Sequence, residues 1–249
     1  MNAYQQVCGG DDGCGGFGGN AFLTKINSAG NALVYSTFLG GEPALNAVTG
    51  VAVDSAGEAY VAGYTRSVGA IPFPTTSGAL IAGSWINVGT GDQYAFFAKF
   101  DAGGDNLLYS TLFGSESMSN QNAVQATGIA IDSSGDAYIT GWTQDGNLPT
   151  TAGAFQTTTG PLYGGSNPYY ILGYRGWVAK FDPTQSGSAS LIYATYLGGT
   201  TEGVQKFIVP PTATHLYLGF VDVNGQVPGD YSNNVGMMRV KAVLHTPAS

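Results

Sequence analysis

Basic side chains are scarce in this sequence. Eight Lys and Arg stand against sixteen Asp and Glu, a formal net charge of −8, and the eight are scattered. Such a chain repels a phosphate backbone and has no local patch to offset the repulsion, which argues against nucleic acid as a partner. Histidine is nearly absent, with His215 and His245 alone, too few for a His-rich metal centre within one chain. No G-x-S-x-G elbow accompanies them, and His215, between Thr214 and Leu216, reads as an ordinary strand residue rather than a triad member. Long apolar runs are missing too. Nothing approaches the roughly 18 residues that span a bilayer, so no membrane span is expected. The start "MNAYQQVCGG" has no basic stretch followed by an apolar one, so any export signal is expected to have been removed or to have lain upstream. Only two cysteines occur, Cys8 and Cys14 in "CGGDDGC". In an exported protein they would close a small disulfide ring. A metal site using them with Asp11 and Asp12 would lack the third and fourth soft ligands of a zinc centre.

What is present points to strands and turns. Hydrophobic residues make up 43 %, enough for a core, while 39 Gly, fifteen Tyr and twelve Phe suit many short strands joined by tight turns. The sequence also copies itself. "GVAVDSAGEAYVAGYT" (residues 50–65) returns as "GIAIDSSGDAYITGWT" (128–143), and a second pattern occurs three times. Its copies are "AFLTKINSAGNALVYSTFLGG" (21–41), "AFFAKFDAGGDNLLYSTLFGS" (95–115) and "GWVAKFDPTQSGSASLIYATYLGG" (176–199). Each copy is an alternating apolar run, a turn of Asp or Asn with Ser and Gly, and a second run with Tyr and β-branched residues, which is a β-hairpin. The hairpins run two, one, two, one, two along the chain. A one–two pair makes a four-stranded antiparallel sheet, and sheets repeated in this way predict an all-β, β-propeller-like array of blades. Asp54 and Asp132 are expected to pin turns through their side chains. Tyr60, Tyr64, Tyr138 and Trp142 are expected to pack between blades, and Lys25, Lys99 and Lys180 to make one repeated structural contact.

The stretches "VTGVAVDSAGEAYVAGYT", "FPTTSGAL" and "AFFAKFDAGGDNLLYSTLFGS", with "PTTAGAFQ" repeating the piece between hairpins, resemble the SBBP β-propeller repeat. That resemblance covers about residues 21–200 and implies a secreted or surface bacterial protein, without supplying catalytic residues. Residues 1–20 form a Gly-rich N-terminal loop, and long inserts at 66–94 and 144–175 interrupt the blades. Loops of that length are often functional. Two blades and a leading half fall short of the about four needed for closure. The array is therefore expected to be partial, with neighbouring blades missing, or completed by the C-terminus or by a homo-oligomer.

Residues 201–249 change character. Residues 207–223 read as a degenerate hairpin one, and "VPGDYSNNVG" (227–236) is a loop dense in side-chain oxygens. It suits either an ordinary turn or a hard cation such as calcium. The segment also resembles the closing strands of the calcium-dependent PA-IL-type galactose-binding lectins. That likeness implies calcium held by Asn233 and Asn234 with Asp222 or Asp230, and a carbohydrate on the calcium.

Three functional classes follow. The first is an extracellular or cell-surface binding or scaffold module, its partner a carbohydrate or surface protein, with a calcium-dependent sugar loop and contact aromatics in the inserts. Those aromatics are Trp85, Tyr94, Tyr163, Tyr169, Tyr170 and Tyr174, which serve equally well to fill the inserts' own small cores. The second is a glycosidase- or esterase-type hydrolase using loop carboxylates such as Asp92, Glu116, Asp145 and Asp182, whose spacing singles out no pair. The third is a structural surface module that self-assembles through open sheet edges. No catalytic residue is assigned.

Overall fold

The structure, a computed structural model, describes residues 3–8, 19–41, 45–66, 72–82, 93–115, 123–159 and 175–197. All of them fall in the first of two compact units, Met1–Leu216. β1 (Ala21–Ile26) and β2 (Leu33–Leu39) form an isolated hairpin. β3 (Asn46–Val53), β4 (Ala59–Thr65), β5 (Tyr94–Phe100) and β6 (Leu107–Phe113) follow one another in a four-stranded antiparallel sheet, blade 1. β7 (Val124–Ile131), β8 (Ala137–Thr143), β9 (Arg175–Phe181) and β10 (Leu191–Leu197) repeat it as blade 2. The fold is all-β and propeller-like, a leading half-blade and two full blades in the order the repeats predict. Among the described residues the only helical element is a single 3-10 turn, Gly187–Ser190.

Blades stack by alternation of side chains across the pleat. One face of the half-blade (Ala21, Leu23, Tyr35, Leu39) packs on Phe96, Ala98 and Phe100 of β5. The other face of blade 1 (Tyr60, Ala95, Phe97, Tyr109) packs on Trp177, Ala179 and Phe181 of β9. A strand covered on both faces loses its polar alternation, and β5, "YAFFAKF", is buried at every position but Lys99. Phe97 sits at the centre, stacked on Tyr60 and 5.6 Å from Phe181 between ring centroids.

Every hairpin turn is pinned by an Asn or Asp at the same position. The Asp54 carboxylate accepts from the amides of Ala56 and Glu58, both at 2.9 Å, and Asp132 accepts from Ser134 and Asp136 at 2.9 and 3.0 Å. Asp101 takes the Gly104 amide at 2.8 Å, Asn27 the Asn31 amide at 3.1 Å and Asp182 the Thr184 amide at 2.9 Å. A side chain that satisfies turn amides in this way replaces ladder bonds the reversing backbone cannot make.

The inserts are not wholly loops. In insert 66–94, residues 73–81 run along the outer strand of the same blade. Thr76 N donates to Ser110 O at 3.1 Å, Leu112 N donates to Ile81 O at 3.1 Å, and Phe73 is 1 % exposed. In insert 144–175 the matching piece does the same, through Thr151 N to Ala194 O at 3.2 Å and Tyr196 N to Gln156 O at 3.0 Å. Gln5 plays this part for the half-blade, accepting from Phe38 N at 3.0 Å while its own amide donates to Thr37 Oγ1 at 2.8 Å. These straps occupy backbone groups that an outer edge strand would otherwise offer to another chain.

Candidate functional site

The two ends of each blade differ. At one end the short Asx turns close every hairpin. At the other, both inserts leave and return, from Thr65 to its cross-strand neighbour Tyr94 in blade 1 and from Thr143 to its neighbour Arg175 in blade 2. The connections between blades leave from this end as well.

The insert end is a floor of buried polar side chains. Asn46, Thr65, Ser115, Thr143, Asp145 and Arg175 are each at most 6 % exposed. Thr65 Oγ1 donates to Asn46 Oδ1 at 2.6 Å, and Asn46 Nδ2 donates to Asn20 Oδ1 at 2.8 Å. In blade 2, Asp145 N donates to Thr143 Oγ1 at 2.8 Å and Asn147 N to Asp145 Oδ1 at 2.9 Å. Tyr196 ties the insert's root to the outermost strand, accepting from Leu148 N at 2.7 Å and donating to Asp145 O at 3.3 Å. Burial pushes its phenol up to about 12, so it serves as a neutral hydroxyl. Burial likewise lowers the Arg175 guanidinium from its ordinary value. Low-dielectric, hydrogen-bonded floors of this kind hold a loop's base in one geometry.

Of the aromatics expected to face a ligand, Tyr94 does not. It is 3 % exposed in the core between half-blade and blade 1, and its hydroxyl donates to Ser115 O at 3.1 Å. Its place at the rim of an insert suggested a contact residue; its place as the first residue of a doubly covered strand makes it a packing one. Trp85, Tyr163, Tyr169, Tyr170 and Tyr174 lie outside the described residues, as do Asp222, Asp230, Asn233 and Asn234 of the oxygen-rich loop and both histidines. Cys8 is buried and disulfide-bonded, while Cys14 lies outside the described residues. Of the loop carboxylates, Asp145 is 1 % exposed and does not stand open to a substrate, whereas Asp182 is a partly exposed turn residue that accepts from the Thr184 amide; Asp92 and Glu116 lie outside the described residues. Among the described residues no three His, Cys, Asp or Glu gather as metal ligands, and no helix is long and apolar enough to cross a membrane.

At the turn end the repeated lysines have distinct partners. Lys99 Nζ lies 2.7 Å from Glu58 Oε2 and 4.8 Å from the centroid of the Tyr60 ring. Lys180 Nζ lies 3.1 Å from Asp132 Oδ2, 2.9 Å from Asp136 Oδ2 and 4.8 Å from the centroid of Tyr138. Lys25, in the half-blade, instead donates to Ala102 O of the next blade at 3.3 Å. Burial works against the charge on Asp132, but the Lys180 ammonium and the Asp136 and Ser134 amides outweigh it and hold the carboxyl below its usual value. Asp54, Asp101 and Asp182 are lowered as well, whereas Lys180 is raised, its carboxylate partners and Tyr138 overcoming burial.

The pH dependence follows from these signs. A carboxyl whose folded pKa lies below the unfolded value of 3.8 contributes stability above that value and loses it as pH falls through the folded pKa. A lysine raised above 10.5 keeps its contribution until pH climbs past that range. The thermal midpoint is therefore expected to be flat from about pH 5 to about pH 10, with a steep fall on the acid side. Asp132→Asn should make that acid limb shallower in a pH series of melts. An unchanged limb would show that Asp132 is not bound this way.

Comparison with protein-family models finds a match over residues 108–149 to SBBP, described as a beta-propeller repeat. The matched stretch runs from β6 through hairpin one of blade 2 to the start of its strap. No curated protein matches the chain. The copied hairpins, the four-stranded blades they build and the family match agree on a β-propeller-like array, with residues 108–149 matching the SBBP beta-propeller repeat.

Proposed function

We propose that the chain is a binding or scaffold module of propeller type, working outside the bacterial cell, whose contact surface is carried by the two inserts. The observation behind this reading is the asymmetry of the blades. One end is closed by short Asx turns, and the other sends both inserts out from a fixed polar floor, the usual division between rigid scaffold and recognition loops. The disulfide at Cys8 supports an oxidising compartment. Replacing residues 83–92 and 160–174 by short Gly-Ser linkers leaves both straps and all strands in place. The shortened protein should keep its melting midpoint within a few degrees and lose retention on a glycan or cell-envelope array that holds the full chain. Equal retention of both would sink the assignment of the inserts.

The loop "VPGDYSNNVG" favours a second element of the same function, a calcium-dependent carbohydrate site built from Asn233 and Asn234 with Asp222 or Asp230. Because a ligand that binds only the native state raises its stability, the midpoint should rise in excess calcium relative to excess chelator. The rise, about 2.7 kcal/mol of stabilisation at a hundredfold excess over Kd, should vanish in the Asn233→Ala/Asn234→Ala variant. An identical midpoint in calcium and chelator would leave the loop as a turn.

A further inference from the structure

The half-blade shows what a blade's leading face looks like when no described residue covers it. In blade 1 that face holds Phe96 and Phe100, 1 % and 0 % exposed, and in blade 2 Trp177 and Phe181, 1 % and 0 %. The residues at the same positions of β1 are Phe22 and Ile26, which are 65 % and 58 % exposed. These are large apolar side chains arranged for packing and left in water, which marks an interaction surface rather than ordinary surface scatter.

A second observation, from the turns, says what fits there. In each contact between blades a tyrosine of the outer strand reaches the hairpin-two turn of the next blade. Tyr35 lies against Gly104 so closely that a Cβ on Gly104 would overlap its ring, and Tyr109 donates to Ser190 Oγ at 2.7 Å. Gly104 has φ +74° and its counterpart in the half-blade, Gly30, has φ +71°, yet no described residue lies within 4 Å of the place a Cβ would take on Gly30. Among the described residues the half-blade thus has an empty tyrosine seat beside an uncovered apolar face. Blade 2 has the matching tyrosine. Tyr193 occupies the position of Tyr35 and Tyr109, each 2 % exposed, but is itself only partly buried, in edge contact with Tyr138 at 6.5 Å and with Lys180 beside it.

We propose that the leading face of the half-blade, Phe22, Ile26 and the Gly30 turn, receives the trailing face of blade 2, Tyr138, Lys180 and Tyr193, from a second copy of the chain. The half-blade and blade 2 pack on opposite faces of blade 1, and among the described residues neither free face covers the other. Supplied by two copies, they continue the contact the chain already makes twice within itself. The interface is heterologous: each copy uses one face to receive and the other to insert, and copies add head to tail until a ring closes or a filament grows. This proposal does not depend on the inserts binding anything.

Light scattering after size exclusion, run on the full chain over a range of concentrations, tests the proposal. Wild type should gain apparent mass with concentration. Phe22→Glu, and independently Ile26→Glu, should return it to the mass of one chain with an unchanged circular dichroism spectrum. Tyr193→Ser should do the same from the other face. Mixed in equal amounts, Phe22→Glu keeps a working trailing face and Tyr193→Ser a working leading face, so the two should form a capped one-to-one pair. A single chain at every wild-type concentration overturns the proposal and assigns the Phe22 face to another occupant, a segment of the same chain or a different protein. An oligomer that both glutamate variants leave intact overturns it as well.

Discussion

Gly141→Ala is expected to cost at least about 3 kcal/mol, a large share of the about 5–15 kcal/mol that holds an ordinary domain folded. A Cβ at this position would overlap the Gln125 carbonyl oxygen and lie 2.7 Å from Trp177 Cζ2. β7 shifts register between Ala126 and Gly128, a bulge that presses its backbone toward β8 just where Gly141 stands. Gly63 in blade 1 stands opposite the same irregularity, between Val48 and Gly50, and meets Ala47 O and Phe96 in the same way. Gly63→Ala should therefore behave alike. Gly128→Ala is the control: its nearest neighbour, Thr140 Oγ1, would be 3.4 Å away, an ordinary contact, and its cost should stay within about 1 kcal/mol. Urea melts of the three variants decide the matter. If Gly128→Ala and Gly141→Ala lose equal stability, the close approach is not the cause. The double variant Gly141→Ala/Trp177→Ala adds a check, because the obstruction is carbonyl as well as indole. Removing the ring should not rescue the alanine.

Phe97→Ala is expected to cost about 3–5 kcal/mol, the range for deleting a fully buried aromatic ring. Phe97 is 1 % exposed and touches rings on both sides of a blade boundary: Tyr60 and Tyr109 within blade 1, Phe181 in blade 2. In stacked repeats stability divides into terms within units and terms between neighbours, and a residue at the boundary weighs on the second kind. The variant should thus loosen the coupling between blades as well as lower the midpoint. Hydrogen exchange should show β7–β10 amides opening independently of β3–β6, where wild type opens them together. A lower midpoint with the blades still exchanging as one would place Phe97's contribution within blade 1.

The hairpins were legible in the sequence because their signals are local. Apolar alternation, an Asp or Asn followed two to five residues on by Gly, and a second run carrying Tyr suffice to mark each one, and all five occur where expected. The pairing of Lys99 and Lys180 with neighbouring Tyr and carboxylate groups was legible only as a recurrence, since the partners sit on another hairpin. The straps were missed. Thr76 and Thr151 look like loop residues, and the strands they cover lie 34 and 43 residues further on. Gln5 was harder still, because "NAYQ" matches "GAFQ" only in its alanine, an aromatic and the glutamine, and "GALI" in the alanine alone, with no surrounding "PTT" to mark it. Gly63 and Gly141 were copied in plain view, yet a glycine between strand residues does not announce which backbone approaches it. Tyr94 misled through its position beside an insert, when the uninterrupted "YAFFAKF" after it already indicated a strand buried on both sides.

The straps bear on how the chain emerges from the ribosome. Each is synthesised before the strand it will cover, residues 73–81 ahead of β6 and 148–156 ahead of β10. At elongation rates of about 5–20 residues per second, a strap waits a few seconds for its strand. When β6 or β10 arrives and adds to the sheet, the segment that seals its outward side has already been made. The interval in which a bare edge could recruit a neighbouring nascent chain shortens to the time the strap needs to fold down, a loop closure far faster than translation.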